Sequence, residues 1–238
     1  MENGQTEKDY RMSNTIQVLG QAIVKYKTPQ HIIDEINKIY DEKEERKLPP
    51  TNKFLAGKIK DEFTLYHNEL DDKSKNFNNV STGALDWFQE QFQDYLTMFE
   101  KKGNAIIRLS SIWVNEMYAN EYNPIHTHSS KYSKIGLSSV MILKIPSSLG
   151  EEYSKPHDPM NGKLQFIGNA GGQFSFTDFR PEIAVGDFYV FPYDMRHCVY
   201  PFNTTKEHRR TLAANVDVFY KGSSVPTDTP GLVQTVAT

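Results

Sequence analysis

The hydrophobic period of this sequence changes at Gly103. Before it, apolar residues recur every three to four positions in two segments; after it they recur every second position, in short runs cut by turn residues. A chain written this way folds as a few helices set against extensive sheet. Glycine and proline follow the same division, with four Gly and three Pro in residues 1–102 against ten and nine in residues 103–238. Charge runs the other way, 33 charged residues in the first part and 24 in the second.

Residues 15–26 alternate as a strand. Thr28-Pro29 offers an N-cap and a first-turn proline for an amphipathic helix to about Lys47, with Ile32, Ile33, Ile36, Ile39 and Tyr40 on one face. Residues 55–70 read as helix or strand equally, and 71–79 as a polar loop. Ser81 caps a second helix that runs to Lys102, with Leu85, Phe88, Phe92, Tyr95, Leu96 and Phe99 in its apolar stripe and Gly103 as its stop. Short strands follow at 105–115, 125–128, 138–145, 163–167, 173–176, 187–191, 197–200 and 209–220. So many short strands between regular turns specify a sandwich or barrel. The organisation expected is an N-terminal strand and support helices over 1–103, a strand-rich core over 104–220 and a loosely packed tail over 221–238.

Several functions are excluded by composition. A formal net charge of −3 leaves no basic field for nucleic acid or an anionic membrane. No run approaches 18 apolar residues, and the N-terminal stretch has no apolar segment of the secretory kind. The single cysteine, Cys198, rules out an intrachain disulfide framework and fits a reducing compartment. These features together point to a cytoplasmic protein.

Three clusters carry chemistry. In the segment 123–130, His126 and His128 stand at i and i+2 of a strand, on one face and about 6.6 Å apart. Two imidazoles so placed can lean onto one metal ion. His197 heads a later short strand. Arg209 and Thr211 share one face of the last strand, and a buried guanidinium beside a hydroxyl clamps a carboxylate.

The ordered series His126-x-His128, Pro181…Gly186-Asp187…Phe191-Pro192, His197-x-Val199-x-Pro201 and Arg209-x-Thr211-x3-Asn215 resembles the 2-oxoglutarate/Fe(II)-dependent oxygenases. It is most similar to their prolyl-hydroxylase-like group of bacterial and phage proteins, in which W-x-N precedes N-x-x-H-x-H; here these are Trp113, Asn115 and Asn123 to His128. The resemblance spans residues 104–220. It implies a double-stranded β-helix (a jelly-roll, cupin-like fold, mainly β with α) buttressed by the N-terminal helices. It implies Fe(II), 2-oxoglutarate and O2 as cofactors, His126 and His197 as metal ligands, and Arg209 and Thr211 as the grip on the distal carboxylate of 2-oxoglutarate.

Position 128 departs from the family, which places Asp or Glu there. Either His128 is the third ligand, the reading its spacing favours, or it orients substrate or water while Asp178 or Asp194 approaches the metal. A third neutral imidazole leaves the Fe(II) centre one unit more positive, which dianionic 2-oxoglutarate tolerates. Histidine would also fill the position that halogenating relatives leave open. The strand at 138–145 offers Ser139, Met141 and Ile142 where relatives carry tyrosines, so Asn115, Asn123, Tyr132 and Asn215 become the candidates for supplementary cosubstrate contacts. The implied substrate is a protein or peptide side chain, or a small molecule. The rival readings are a cupin-like three-histidine dioxygenase that needs no 2-oxoglutarate, and a non-catalytic β-barrel binding module; a homodimer is compatible with all three.

Overall fold

The computed structural model describes residues 20–51, 57–99, 103–152, 158–169, 172–173, 177–204, 206–220 and 232–234. Two antiparallel sheets stack face to face, and two helices cover the outer face of the larger one. In chain order the elements are β1 (Val24–Lys27), α1 (Gln30–Asp41), β2 (Asp61–His67), β3 (Phe77–Asn78), α2 (Thr82–Phe99), β4 (Ala105–Met117), β5 (Asn123–His126), β6 (Gly136–Lys144), β7 (Leu164–Ile167), β8 (Asp178–Phe179), β9 (Asp187–Pro192), β10 (Arg196–Val199), β11 (Arg209–Tyr220) and β12 (Leu232–Gln234). The large sheet runs β1-β9-β6-β11-β4-β2-β3, with β12 also paired to β4; the small sheet runs β5-β10-β7-β8. This is the double-stranded β-helix arrangement, mainly β with two helices.

Strand alternation divides the large sheet into two faces. Leu212, Ala214, Val114, Ile112, Met141, Phe188 and Val190 point to the helices and form the larger core cluster. Phe188 is its hub. The rings of Tyr26, Trp87, Phe88 and Phe92 approach it at 5.1–6.3 Å, three of the four from α2. Of the stripe read from the sequence of α2, Phe88, Phe92, Tyr95 and Leu96 are core and Leu85 packs against it, whereas Phe99, the last residue of the helix, is half exposed. The opposite face, toward the small sheet, mixes apolar Met117, Tyr189 and Phe191 with polar Arg209, Thr211, Asn115 and Asn215. Polar side chains inside a sandwich need a reason, and that face holds the site.

Several local expectations are corrected. The strand expected from residue 15 begins at Val24, the residues before Gly20 lying outside the described ones. Helix α1 is capped by Pro29 without a side-chain bond; the Thr28 hydroxyl has no partner, and its N–H donates instead to the Gly186 carbonyl at 2.8 Å. The helix stops at Asp41, not Lys47, because hydrogen-bonded turns and a left-handed Lys47 (φ 53°) carry Leu48 back into the core. Within 55–70 the outcome is β2. Ser81 does cap α2, accepting from the Ala84 N–H at 3.2 Å, and Gly103 has the expected left-handed backbone (φ 60°). Of the strand expected at 173–176 only Gln173 is described, in a turn. The tail contributes β12, paired to β4 at Ile106, Ile107 and Arg108. Among the described residues no helix is long and apolar enough to cross a membrane.

Candidate metal and cosubstrate site

His126 and His197 face each other across the β5–β10 ladder, their ring centroids 4.2 Å apart. His128 lies one residue pair beyond the end of β5, where its N–H donates to the Tyr193 carbonyl at 2.8 Å. Its ring stacks on His197 at 5.1 Å and meets His126 at 5.2 Å. One nitrogen from each of the three lies within 4.8 Å of the others, a spacing that one metal ion can satisfy. No carboxylate joins this cluster among the described residues. Asp178 and Asp194 are exposed, and Asp194 accepts from Gln21 instead.

The same local device orients two of the rings. Nδ1 of His126 lies 2.8 Å from the carbonyl of Pro124, and Nδ1 of His197 lies 3.0 Å from that of Met195, each two residues back. A carbonyl accepts only, so each Nδ1 is protonated and each Nε2 presents a lone pair, the form that ligates. His128 Nε2 stands 3.3 Å from His197 Nε2. Two lone pairs that close repel unless a cation lies between them. Nδ1 of His128 is 3.5 Å from the Asn215 amide nitrogen, while Asn215 Oδ1 is buried without a partner. Exchanging the two ends of that amide supplies an acceptor to Nδ1–H and gives His128 the tautomer of the other two.

Electrostatics agree with neutral rings. Burial lowers the pKa of all three; His128, further disfavoured by charge on His197 or His126, falls well below the ordinary 6.5, and His197 is pushed down to about 3. Neutral imidazoles at neutral pH are ready to accept a metal without first losing a proton.

Arg209 stands at the far end of β11 from Asn215, on the same face, with Thr211 and Ala213 between them. It is 1% exposed, and among the described residues its only polar contact is a long one from a terminal nitrogen to the Met117 sulfur at 3.9 Å. Nε and the other terminal nitrogen have no partner, and burial alone lowers its pKa to about 10. Seven of the fourteen orphaned buried polar atoms among the described residues lie on this one face, on Arg209, Asn115, Trp113, Ser138, Asn215 and Glu62. Buried donors are satisfied in the great majority of native sites. The donors among these orphans, headed by the unpaired Arg209 guanidinium, fit a carboxylate ligand, which only accepts; the acceptors on Glu62, Asn115 and Asn215 do not bear on it.

Asn115 sits beside Thr211 in register. Asn123 and Tyr132 do not stand on this row. Asn123 borders a cavity of about 210 Å³ shared with Cys198. The Tyr132 hydroxyl donates to Glu69 at 2.7 Å and accepts from the N–H groups of Leu70 and Asp71. Sequence reasoning passed over Glu62, paired in register with Asn115; burial and then the neighbouring Glu121 raise its pKa to about 7. The signal was present in the alternation of β2, where Glu62 and Thr64 share the inner face. His67 is half-buried and lies 3.1 Å from Glu69. On either side of Arg209 the basic groups are paired, Arg210 with Glu116 and Asp41 and His208 with Glu116.

With this geometry in hand, comparison with known proteins is specific. Residues 111–215 match a family model described as "Putative 2OG-Fe(II) oxygenase". Over that stretch the chain is similar to the 2OG-Fe(II) oxygenases. No curated protein matches the chain in sequence. Among solved structures, a 2OG-Fe(II) oxygenase family oxidoreductase from Burkholderia pseudomallei is 14% identical with a TM-score of 0.52, over 82% of this chain and 84% of that one. A Pseudomonas putida prolyl-4-hydroxylase is 14% identical at 0.50, over 83% and 92%. A Trichoplax adhaerens prolyl hydroxylase, in complex with a hypoxia inducible factor peptide fragment, is 9% identical at 0.51, over 83% of each. At these identities the likeness establishes the fold. The 2OG-Fe(II) oxygenases use Fe(II), 2-oxoglutarate and O2, and in this chain the three-histidine cluster is a group able to hold a metal ion.

Proposed function

We propose that this oxygenase hydroxylates a protein or peptide side chain, with His126, His128 and His197 holding Fe(II) and Arg209 and Thr211 gripping the distal carboxylate of 2-oxoglutarate. The observation that carries the reading is the buried, unpaired Arg209 on the same inner face as the residue that touches His128. A guanidinium held out of water pairs bidentately with a carboxylate at much lower cost than it stands alone. What supports a peptide over other substrates is the likeness to prolyl hydroxylases, one of them bound to a peptide.

Bound together, Fe(II), 2-oxoglutarate and O2 supply the oxidising chemistry, one oxygen atom entering the substrate as hydroxyl and the other entering succinate as CO2 leaves. The chain does the rest. The Pro124 and Met195 carbonyls and Asn215 fix the three rings with Nε2 inward. Arg209, Thr211 and Asn115 set the direction of the cosubstrate. Trp113 and Phe191, whose rings come within 6.1 and 6.4 Å of His128, keep water from the metal's inner side. The test is incubation with Fe(II), 2-oxoglutarate and O2. Succinate should form in the wild-type protein and be lost on Arg209→Ala, whereas a three-histidine enzyme without 2-oxoglutarate would tolerate that change.

A further inference from the structure

A cavity of about 230 Å³ opens on the side of His128 away from Arg209. The register fixes its place. Asn215 of β11 pairs with Ser111 of β4, which pairs with His67 of β2, and all three residues line the cavity. Ser129 and Tyr193 complete the wall next to His128. Asn215 and Tyr193, which line this space, also touch the His128 ring, so it adjoins the three-histidine cluster on the side opposite the proposed cosubstrate anchor Arg209.

The wall is unusual in having no hydrocarbon side chain among its lining residues: they are serines, asparagines, tyrosines, a histidine and charged groups. The charges are already matched. Arg108 pairs with Asp217 at the buried end, where Tyr193 and Ser130 also donate to Asp217 at 3.2 Å. Lys131 pairs with Glu69 at the rim; although partial burial works to raise Glu69, hydrogen bonds from Lys131, Tyr132 and His67 hold its carboxyl at about 2. With the Asn215 oxygen turned to His128, its amide N–H groups and Arg108 Nε are left without partners among the described residues. The volume is below the ~300–1,000 Å³ of pockets for drug-sized ligands, and suits one side chain.

From this wall we infer that the group presented to the metal is an uncharged, hydrogen-bonding one, a carboxamide or hydroxyl side chain, and not a prolyl ring or an aliphatic chain. The inference rests on the oxygenase reading above and names its substrate class. Ser110 and Ser130 already have partners, but a hydrocarbon seated here would desolvate Ser111 and the Asn215 amide without offering either a partner, and sites built on hydrogen bonds reject such analogues strongly. A charged group would have to break one of two existing ion pairs.

The experiment measures succinate from the Fe(II)-loaded protein with blocked amino acids as probes: N-acetyl amides of asparagine, glutamine, serine and threonine against those of leucine, valine and proline. The same residues within a short peptide form a second arm, which separates a peptide from a free small molecule as source. At least one carboxamide or hydroxyl probe should raise succinate formation tenfold or more over its hydrocarbon counterpart. Ser111→Leu, which fills the cavity, and Ser129→Leu, at an exposed loop position, should each abolish that stimulation with metal and 2-oxoglutarate affinities within twofold of wild type. Equal stimulation by leucine or proline probes, no stimulation by any polar probe in either arm, or stimulation that survives both variants overturns the inference. Failure of the wild-type protein to bind 2-oxoglutarate overturns the oxygenase reading itself, and the substrate class with it.

Discussion

Replacing Arg209 by methionine should make the protein more stable while destroying its response to 2-oxoglutarate. Arg209 is fully buried, has no anionic partner, and its pKa falls from the ordinary 12.5 to about 10 through burial. At about 1.4 kcal/mol per tenfold, that fall corresponds to about 3 kcal/mol of cost for keeping the charge inside. The group is charged in both folded and unfolded chains up to about pH 10. The cost is therefore present throughout the working range and is relieved only as pH rises from about 10 toward 12.5. Methionine keeps a long apolar stem beside Met117, and lost packing offsets part of the gain, leaving about 1–3 kcal/mol. Denaturant unfolding of the metal-free protein at pH 7.5 reads this directly. Adding Zn(II) and 2-oxoglutarate at a hundred times its Kd should stabilise the wild type by about 2.7 kcal/mol beyond Zn(II) alone, and the variant not at all. Destabilisation of the metal-free variant by more than about 1 kcal/mol, or an unchanged response to 2-oxoglutarate, would refute the reasoning.

Further expectations follow from the neighbouring residues. Asn215→Ala should weaken metal binding about 10–100-fold in a competition titration, and Asn215→Asp, which again offers Nδ1–H of His128 an acceptor, should retain it. Glu62, raised from 4.5 to about 7, favours the neutral form in the fold, so its contribution is full below pH 4.5 and lost as pH rises through 7. Glu62→Gln should accordingly be near neutral at pH 4 and stabilising by about 3 kcal/mol at pH 8, as read by unfolding at both pH values. His197, held at about 3 against 6.5 unfolded, contributes stability above pH 6.5 that is lost as pH falls toward 3. His197→Ala should flatten that acid slope in the metal-free protein.

What could be read in advance was whatever follows from period and spacing. The change of period at Gly103 announced the sheet, and the stripe Phe88, Phe92, Tyr95 and Leu96 announced a helix lying on it. His126, His128 and His197 were visible because strand order brings β5 beside β10. What escaped depends on contacts that no local pattern encodes. Segment 55–70 was ambiguous because its alternation buries Glu62 and Thr64 on one face, where a buried acid looks like a surface residue. Strand β12 exists through its pairing with the first residues of β4, more than a hundred residues away. The polar cavity joins β2, β4, β11 and the 129–132 loop, and only the assembled register shows that its charges cancel.

The most direct measurement is anaerobic calorimetry of 2-oxoglutarate into metal-free protein, into Fe(II)-loaded protein, and into Fe(II)-treated His128→Ala and Arg209→Met variants. The account expects one 2-oxoglutarate per chain in the Fe(II)-loaded wild type, with at least tenfold weaker binding without metal and in both variants. Undiminished binding in both variants, or no binding by the Fe(II)-loaded wild type, would contradict a cosubstrate held between a three-histidine metal and Arg209.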